Sequence, residues 1–162
     1  MAAGMRRAIA VHSRGHWPEE AAVDAVSLAF ADRHRRRMRL VADSGTPFLL
    51  DLARAQPLAE GDGLELDNGR YVRVAAAAEP VIEVEAESLA ALLRIAWHLG
   101  NRHLPTQLAG GAILIRPDHV IEEMVRGLGA TTRAIVAPFQ PEGGAYGQAA
   151  HVHFAGEARH AS

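Results

Sequence analysis

The order of hydrophobic periodicities between residues 81 and 139 constrains this chain more than any other feature of its sequence. Val81 to Glu85 alternates apolar and polar side chains, as a half-buried strand does. Ser88 then caps a helix whose apolar residues Leu89, Leu92, Leu93, Ala96 and Trp97 recur at helical spacing. That helix is predicted to end near Gly100, because glycine enters the left-handed backbone of a helix C-terminus without strain. The stretch TQLAGGAILI, residues 106–115, reads as two short strands joined at Gly110-Gly111. Asp118 caps a second helix with Val120, Ile121, Met124, Val125 and Leu128 on its apolar stripe, stopped by Gly127 and Gly129. Thr131 to Phe139 is a last strand before Pro141. Strand, helix, strand, strand, helix, strand is the split βαβ order of a ferredoxin-like domain.

Upstream the texture is β. RRRMRLVADSGTPFLLDL, residues 35–52, reads as a strand, a turn at Asp43-Ser44-Gly45 and a second strand. Asp67-Asn68-Gly69, between Leu64-Glu65-Leu66 and Tyr71-Val72-Arg73-Val74, predicts a hairpin, since Asn-Gly accepts the positive φ of a type I′ turn. Residues 1–30 are weakly patterned and are assigned no structure. The alanines at 75–78, followed by Glu79-Pro80, mark a plausible hinge. The expected class is therefore α+β: a small β domain over 1–76, a ferredoxin-like domain over 77–142, and a tail over 143–162. The tail is rich in Gly and Ala, too poor in large apolar residues to pack, and is expected to be mobile.

Composition narrows the chemistry. The 162 residues are 49% apolar with a formal net charge of −2, so no bulk field selects nucleic acid or an anionic membrane. All 17 basic residues are arginine, from which no function follows. Without cysteine there is no disulfide, no thiolate zinc site and no cysteine nucleophile, so any metal must bind through nitrogen and oxygen. The apolar run Ala8 to Val11 is too short for a secretory core and nothing approaches a membrane span, so a cytoplasmic location is expected.

Nine histidines remain to be placed. His12, His16 and His34 sit in the weakly patterned start or the arginine-rich strand and read as surface residues. His98 and His103 are five apart, about 140° around a continuous helix, so they would not share a face. His98 reads as a packing or capping group, with His103 pointing elsewhere. His119 opens the second helix beside Asp118, with Glu122 and Glu123 in reach; helix N-termini favour acidic residues for dipole reasons alone. His151 and His153, with His160, lie in the tail, where they are either incidental or a tethered ligand arm. Imidazole suits nickel, copper and zinc. One histidine is a poor site in a monomer but becomes two ligands across the axis of a two-fold dimer.

Three motifs in the second half resemble the urease accessory proteins known as UreE, the nickel metallochaperones. They are His98-Leu-Gly-Asn-Arg-His103 with Pro105, then Asp118-His119-Val120-Ile121-Glu-Glu-Met, and Pro138-Phe139-x-Pro141-Glu-x-Gly-x-Tyr146. Leu58-x-x-Gly61-Asp62-x-Leu64 is similar to the family's first domain. The resemblance runs from about Arg35 to Tyr146.

It implies a β-rich N-terminal domain thought to bind peptide or partner proteins, and a ferredoxin-like domain that makes the homodimer. It further implies that His103 lies near the dimer axis and supplies the central Ni2+ ligand from each subunit. His119 matches an accessory ligand of some relatives, although Pro117 stands where some members carry another histidine. A long histidine run is replaced here by His151, His153 and His160, enough for a labile arm but not for storage. Zn2+ and Cu2+ are expected to compete for such ligands. The partners implied are the urease apoprotein and the other urease accessory proteins, including the GTPase, with no nucleic acid and no membrane.

Two other functions stay open on the residues alone. One is a metal-dependent hydrolase using His103, Asp118, His119 and Glu122, although the chain has no His-Glu-x-x-His helix, Gly-x-Ser-x-Gly turn or glycine-rich phosphate loop. The other is a protein- or nucleic-acid-binding module built on Arg33 to Arg39, a strand that reads more simply as a charged sheet edge.

Overall fold

The computed structural model describes residues 4–143. These fall into two compact units, 4–80 with 136–140, and 81–135 with 141–143.

The first unit is a six-stranded mixed sheet. Its strands are β1 (Arg6–His12), β2 (Ala22–Leu28), β3 (His34–Val41), β4 (Pro47–Pro57), β5 (Gly63–Leu66) and β6 (Tyr71–Ala76), in the order β2-β6-β5-β1-β4-β3. β3–β4 and β5–β6 are antiparallel hairpins at the two turns expected from the sequence. The second differs in type. Asn68 does not have a positive φ, Gly69 does (79°), and Gly69 N donates to Leu66 O while Leu66 N donates to Arg70 O. That is a type I turn closed by a left-handed glycine, so Asn-Gly forms a three-residue loop instead of the type I′ turn.

The weakly patterned start of the sequence holds two strands within residues 4–30. β1 lies between β5 and β4, parallel to β4, and β2 runs parallel to β6. Parallel partners come from distant sequence and need no turn at their ends, so no local signal announces them. The alanine run at 75–78 likewise belongs to strands, with only Ala77 between β6 and the next strand, and its N–H donates to Leu28 O at 2.9 Å. Ala8, Leu50, Leu64 and Val74 are fully buried at the centre of this unit. Each large aliphatic side chain so placed contributes about 1.5–3 kcal/mol.

A buried carboxylate secures one turn of this unit. Asp62 accepts from Ala59 N through Oδ2 at 2.9 Å and from Arg14 N through Oδ1 at 3.3 Å. Burial raises its pKa above the ordinary carboxylate value, and the two backbone hydrogen bonds only partly oppose this. The folded chain therefore holds this proton more tightly than the unfolded chain. The stability associated with it is fully present below the unfolded value, about 3.9, and is lost as pH rises through the folded one. Urea unfolding of Asp62→Asn, which cannot ionise, should thus gain on the parent as pH is raised from 4 to 7. A stability difference that stays constant over that interval would remove the assignment.

The second unit contains β7 (Ala78–Glu85), α1 (Leu89–Asn101), β8 (Thr106–Ala109), β9 (Ala112–Ile115), α2 (His119–Gly127) and β10 (Thr131–Pro138). β7 starts in the first unit and β10 ends there. The sheet order β10-β7-β9-β8 completes the ferredoxin-like arrangement. Ile82, Val84, Ile113 and Ile115 pack with Ile95 and Leu99 of α1 and Val125 of α2. No helix among the described residues is long and apolar enough to cross a membrane.

Candidate metal centre

Both helices end in the same six-residue cap, and the difference between them singles out one side chain. At the end of α2, Ala130 N donates to Val125 O at 3.0 Å and Gly129 N to Arg126 O at 3.0 Å, with Gly129 at φ 96°. At the end of α1, Leu104 N donates to Leu99 O at 3.3 Å and His103 N to Gly100 O at 3.0 Å, with His103 at φ 56°. These paired bonds define a Schellman cap, whose left-handed position is usually glycine. In α1 that position is a histidine. His103 is the one non-glycine residue with positive φ among the described residues, and its side chain is exposed.

The helix ends one residue beyond the expected Gly100, but its left-handed residue is not that glycine. Gly100 and Asn101 remain inside α1, Arg102 is its C-cap, and His103 itself takes the left-handed conformation. The cap is held from below by Leu99, fully buried, and by Leu104, which packs on the same core. A residue so fixed projects its imidazole from a defined backbone position.

α1 carries two apolar faces where the sequence suggested one. Ile95 and Leu99 are buried and Leu92 and Ala96 pack beside them, whereas Leu89, Leu93 and Trp97 are 71%, 61% and 64% exposed. Positions 89, 93 and 97 are one helical turn apart and form a second stripe that leads toward the turn bearing His103. A helix that is apolar around most of its circumference has two surfaces to bury. That was the available signal, since positions 89, 92, 93, 95, 96, 97 and 99 are all apolar. His98 is half-buried and meets the Trp97 ring edge-on at 5.0 Å.

His119 is the first residue of α2 and is exposed. Asp118 is occupied as the N-cap, its Oδ1 accepting from Val120 N at 3.0 Å and Ile121 N at 3.2 Å. Glu122 pairs with Arg126 at 3.5 Å. Among the described residues no three His, Asp or Glu side chains converge as a metal site. The constellation of His103, Asp118, His119 and Glu122 that a hydrolase would need is thus not assembled. His151, His153 and His160 lie outside the described residues. His12, read from the sequence as a surface residue in an unstructured start, sits in β1. It is half-buried, its Nε2 lies 2.7 Å from Glu65 Oε2, and its ring is edge-on to Tyr71. His16 and His34 are exposed.

Comparison with known proteins agrees with this layout. Residues 6–77 match the N-terminal domain of the UreE urease accessory protein, and residues 79–162 match its C-terminal domain. The chain is 58% identical to "Urease accessory protein UreE" of Rhodopseudomonas palustris (strain BisB18) over 142 residues, covering 88% of this chain and 67% of that protein. With the protein of the same name from Bradyrhizobium sp. (strain ORS 278) it shares 53% identity, covering 92% and 70%. With that of Beijerinckia indica subsp. indica it shares 49%, covering 92% and 87%. Both domains are present in order and the identities are high over most of the chain: it belongs to the UreE family of urease accessory proteins.

Proposed function

We propose that the chain is a cytoplasmic, non-enzymatic metallochaperone that binds Ni2+ between two copies of itself and delivers it to the urease apoprotein and its accessory proteins, including the GTPase. The observation that carries this is the conformation of His103. A left-handed backbone costs a side-chain-bearing residue roughly 1–2 kcal/mol, and the matching cap of α2 avoids that cost with Gly129. Strain kept at an exposed position is the mark of a functional side chain. A nitrogen donor on a firmly held turn is what transition-ion capture requires.

One imidazole holds nickel poorly. A second copy of the chain supplies another across a two-fold axis, and the exposed stripe of Leu89, Leu93 and Trp97 offers the apolar surface for that contact. His119 and the tail residues His151 and His153 are assigned as accessory, exchangeable ligands, with water completing the shell. Such an incomplete site accepts and releases an ion, and Zn2+ and Cu2+ are its expected competitors. Because imidazole ligates only when neutral, binding weakens on acidification.

Nickel titration combined with sedimentation velocity tests this. The expected result is one tight Ni2+ per two chains in a dimer. Leu93→Glu, which places a charge in the stripe, should yield monomers that bind nickel at least tenfold more weakly. Monomers that retain the full affinity would remove the shared site.

A further inference from the structure

The outer face of β1, β4 and β3 combines exposed arginines with exposed aliphatic side chains. Strand register sets Arg7 beside Leu49, and Leu49 beside Arg39, in one row across the three strands. In the next row Arg37 faces Asp51. Val41 and Ile9, two residues from Arg39 and Arg7 along their strands, are 55% and 44% exposed.

Charge on this face is unbalanced. Asp51 is committed to Arg7, with Nε and Nη2 at 3.0 and 2.7 Å from its Oδ2. Arg37 stands 4.0 Å from the other oxygen, and Arg39 has no ion pair among the described residues. Asp51, whose side chain is only 18% exposed, is thus met by two guanidiniums, and Arg39 is left without a counter-charge among the described residues. Arginines that merely protect a sheet edge belong on the edge strand. Here β3 is the edge, but Arg7 and the exposed Ile9 stand on β1, two strands inward. Arginine among solvent-facing aliphatics is the composition of a protein-binding surface. Nucleic acid fits less well, because the patch offers no aromatic ring for base stacking and Asp51 would repel phosphate.

We propose that this face docks an acidic protein surface, whose carboxylates pair with Arg37 and Arg39 around apolar contacts to Leu49, Val41 and Ile9. The identity of that partner as a component of the urease activation complex rests on the delivery role proposed above. The surface itself follows from charge and register.

The test uses the full nickel-loaded chain and the assembled complex of urease apoprotein with its accessory proteins, with binding read by surface plasmon resonance at low and moderate salt. Arg37→Glu combined with Arg39→Glu should weaken binding at least tenfold and flatten its salt dependence. Nickel stoichiometry and self-association should remain those of the parent, and the urea midpoint should fall only modestly, because Glu at 37 faces Asp51 across the strands. The milder pair Arg37→Gln and Arg39→Gln should fall between. Unchanged binding by the double glutamate variant would overturn the docking face while leaving the nickel assignment intact. Loss of self-association in that variant would make the face a contact between copies, and tighter retention of the parent on duplex DNA than on the complex would make it a nucleic-acid surface; either overturns the proposal. A parent that does not bind the complex would overturn both this face and the delivery step, whereas nickel titration would still judge the metal site alone.

Discussion

Replacing His103 by Gly is expected to stabilise the fold and abolish its tightest nickel binding in one step. The cap of α1 needs a left-handed residue after Arg102, and the cap of α2 meets the same need with Gly129. Glycine at position 103 removes the steric penalty of the Cβ, while increasing the freedom of the unfolded chain. The net gain should be about 0.5–1 kcal/mol. His103→Ala keeps the strained Cβ and should show no such gain. Both variants lose one imidazole per chain, hence both central ligands of a dimer. Removing only an outer partner of a metal ligand commonly costs 10–100-fold, so losing the ligands themselves should cost roughly a hundredfold or more. Calorimetric nickel titration and urea unfolding of the three proteins separate the effects. If the glycine variant is no more stable than the alanine variant, the strain is not real. If either retains the parent's affinity, the metal is held elsewhere.

The contrast between the two caps also explains what the sequence could convey. The ferredoxin-like unit was legible because each element carries its own local mark. Ser88 and Asp118 cap the helices through their side chains, Gly110-Gly111 turns β8 into β9, and the order of periodicities leaves few topologies. The end of α1 falls at Asn101, beside the expected Gly100, but Gly100 is not the left-handed residue that propensity favours for such a cap. The actual left-handed residue is a histidine three positions later, which local preference disfavours. Tertiary anchoring by Leu99 and Leu104 overrode that preference. Local rules fail where tertiary structure holds a residue against them.

The first unit was half legible for a different reason. β3–β4 and β5–β6 are joined by short turns and announce themselves, whereas β1 and β2 pair in parallel with strands more than 35 residues away. Their side chains are also small or mixed: in β1 only Ala8 is fully buried, so no strong alternation appears. Within the candidate site, His103 could be singled out through its motif, but its backbone conformation could not. The outward stripe of α1 was hidden because apolar spacing shows that a helix buries a face without showing how many. The distinction between Leu92, packed inward, and Leu93, exposed, emerges only once the sheet is in place.

Phe139→Ala should destabilise the first unit by about 3–5 kcal/mol, as expected when a fully buried aromatic is truncated. Among the described residues Phe139 is the bulkiest fully buried side chain, and its ring meets Phe30 edge-on at 5.4 Å. Its carbonyl accepts a hydrogen bond from Arg33, and the neighbouring Gln140 Oε1 accepts another. Arg33 is itself buried, its guanidinium carbon 5.9 Å from the Phe30 ring centre, and its Nε has no hydrogen-bond partner among the described residues. Burial lowers its pKa below the ordinary arginine value, and the carboxylates of Glu79 and Glu60 oppose that shift. Arg33→Met keeps the chain length but removes the cation those carboxylates face and the donor of two hydrogen bonds, one buried and one half-buried. It should cost about 3 kcal/mol. Since both substitutions dismantle one cluster, the double variant should lose less than the sum of the single losses, and urea unfolding of the four proteins measures the difference. Strict additivity would mean that Phe139 and Arg33 act independently, and a loss below 1 kcal/mol for Phe139→Ala would mean that residues 136–140 do not secure this unit.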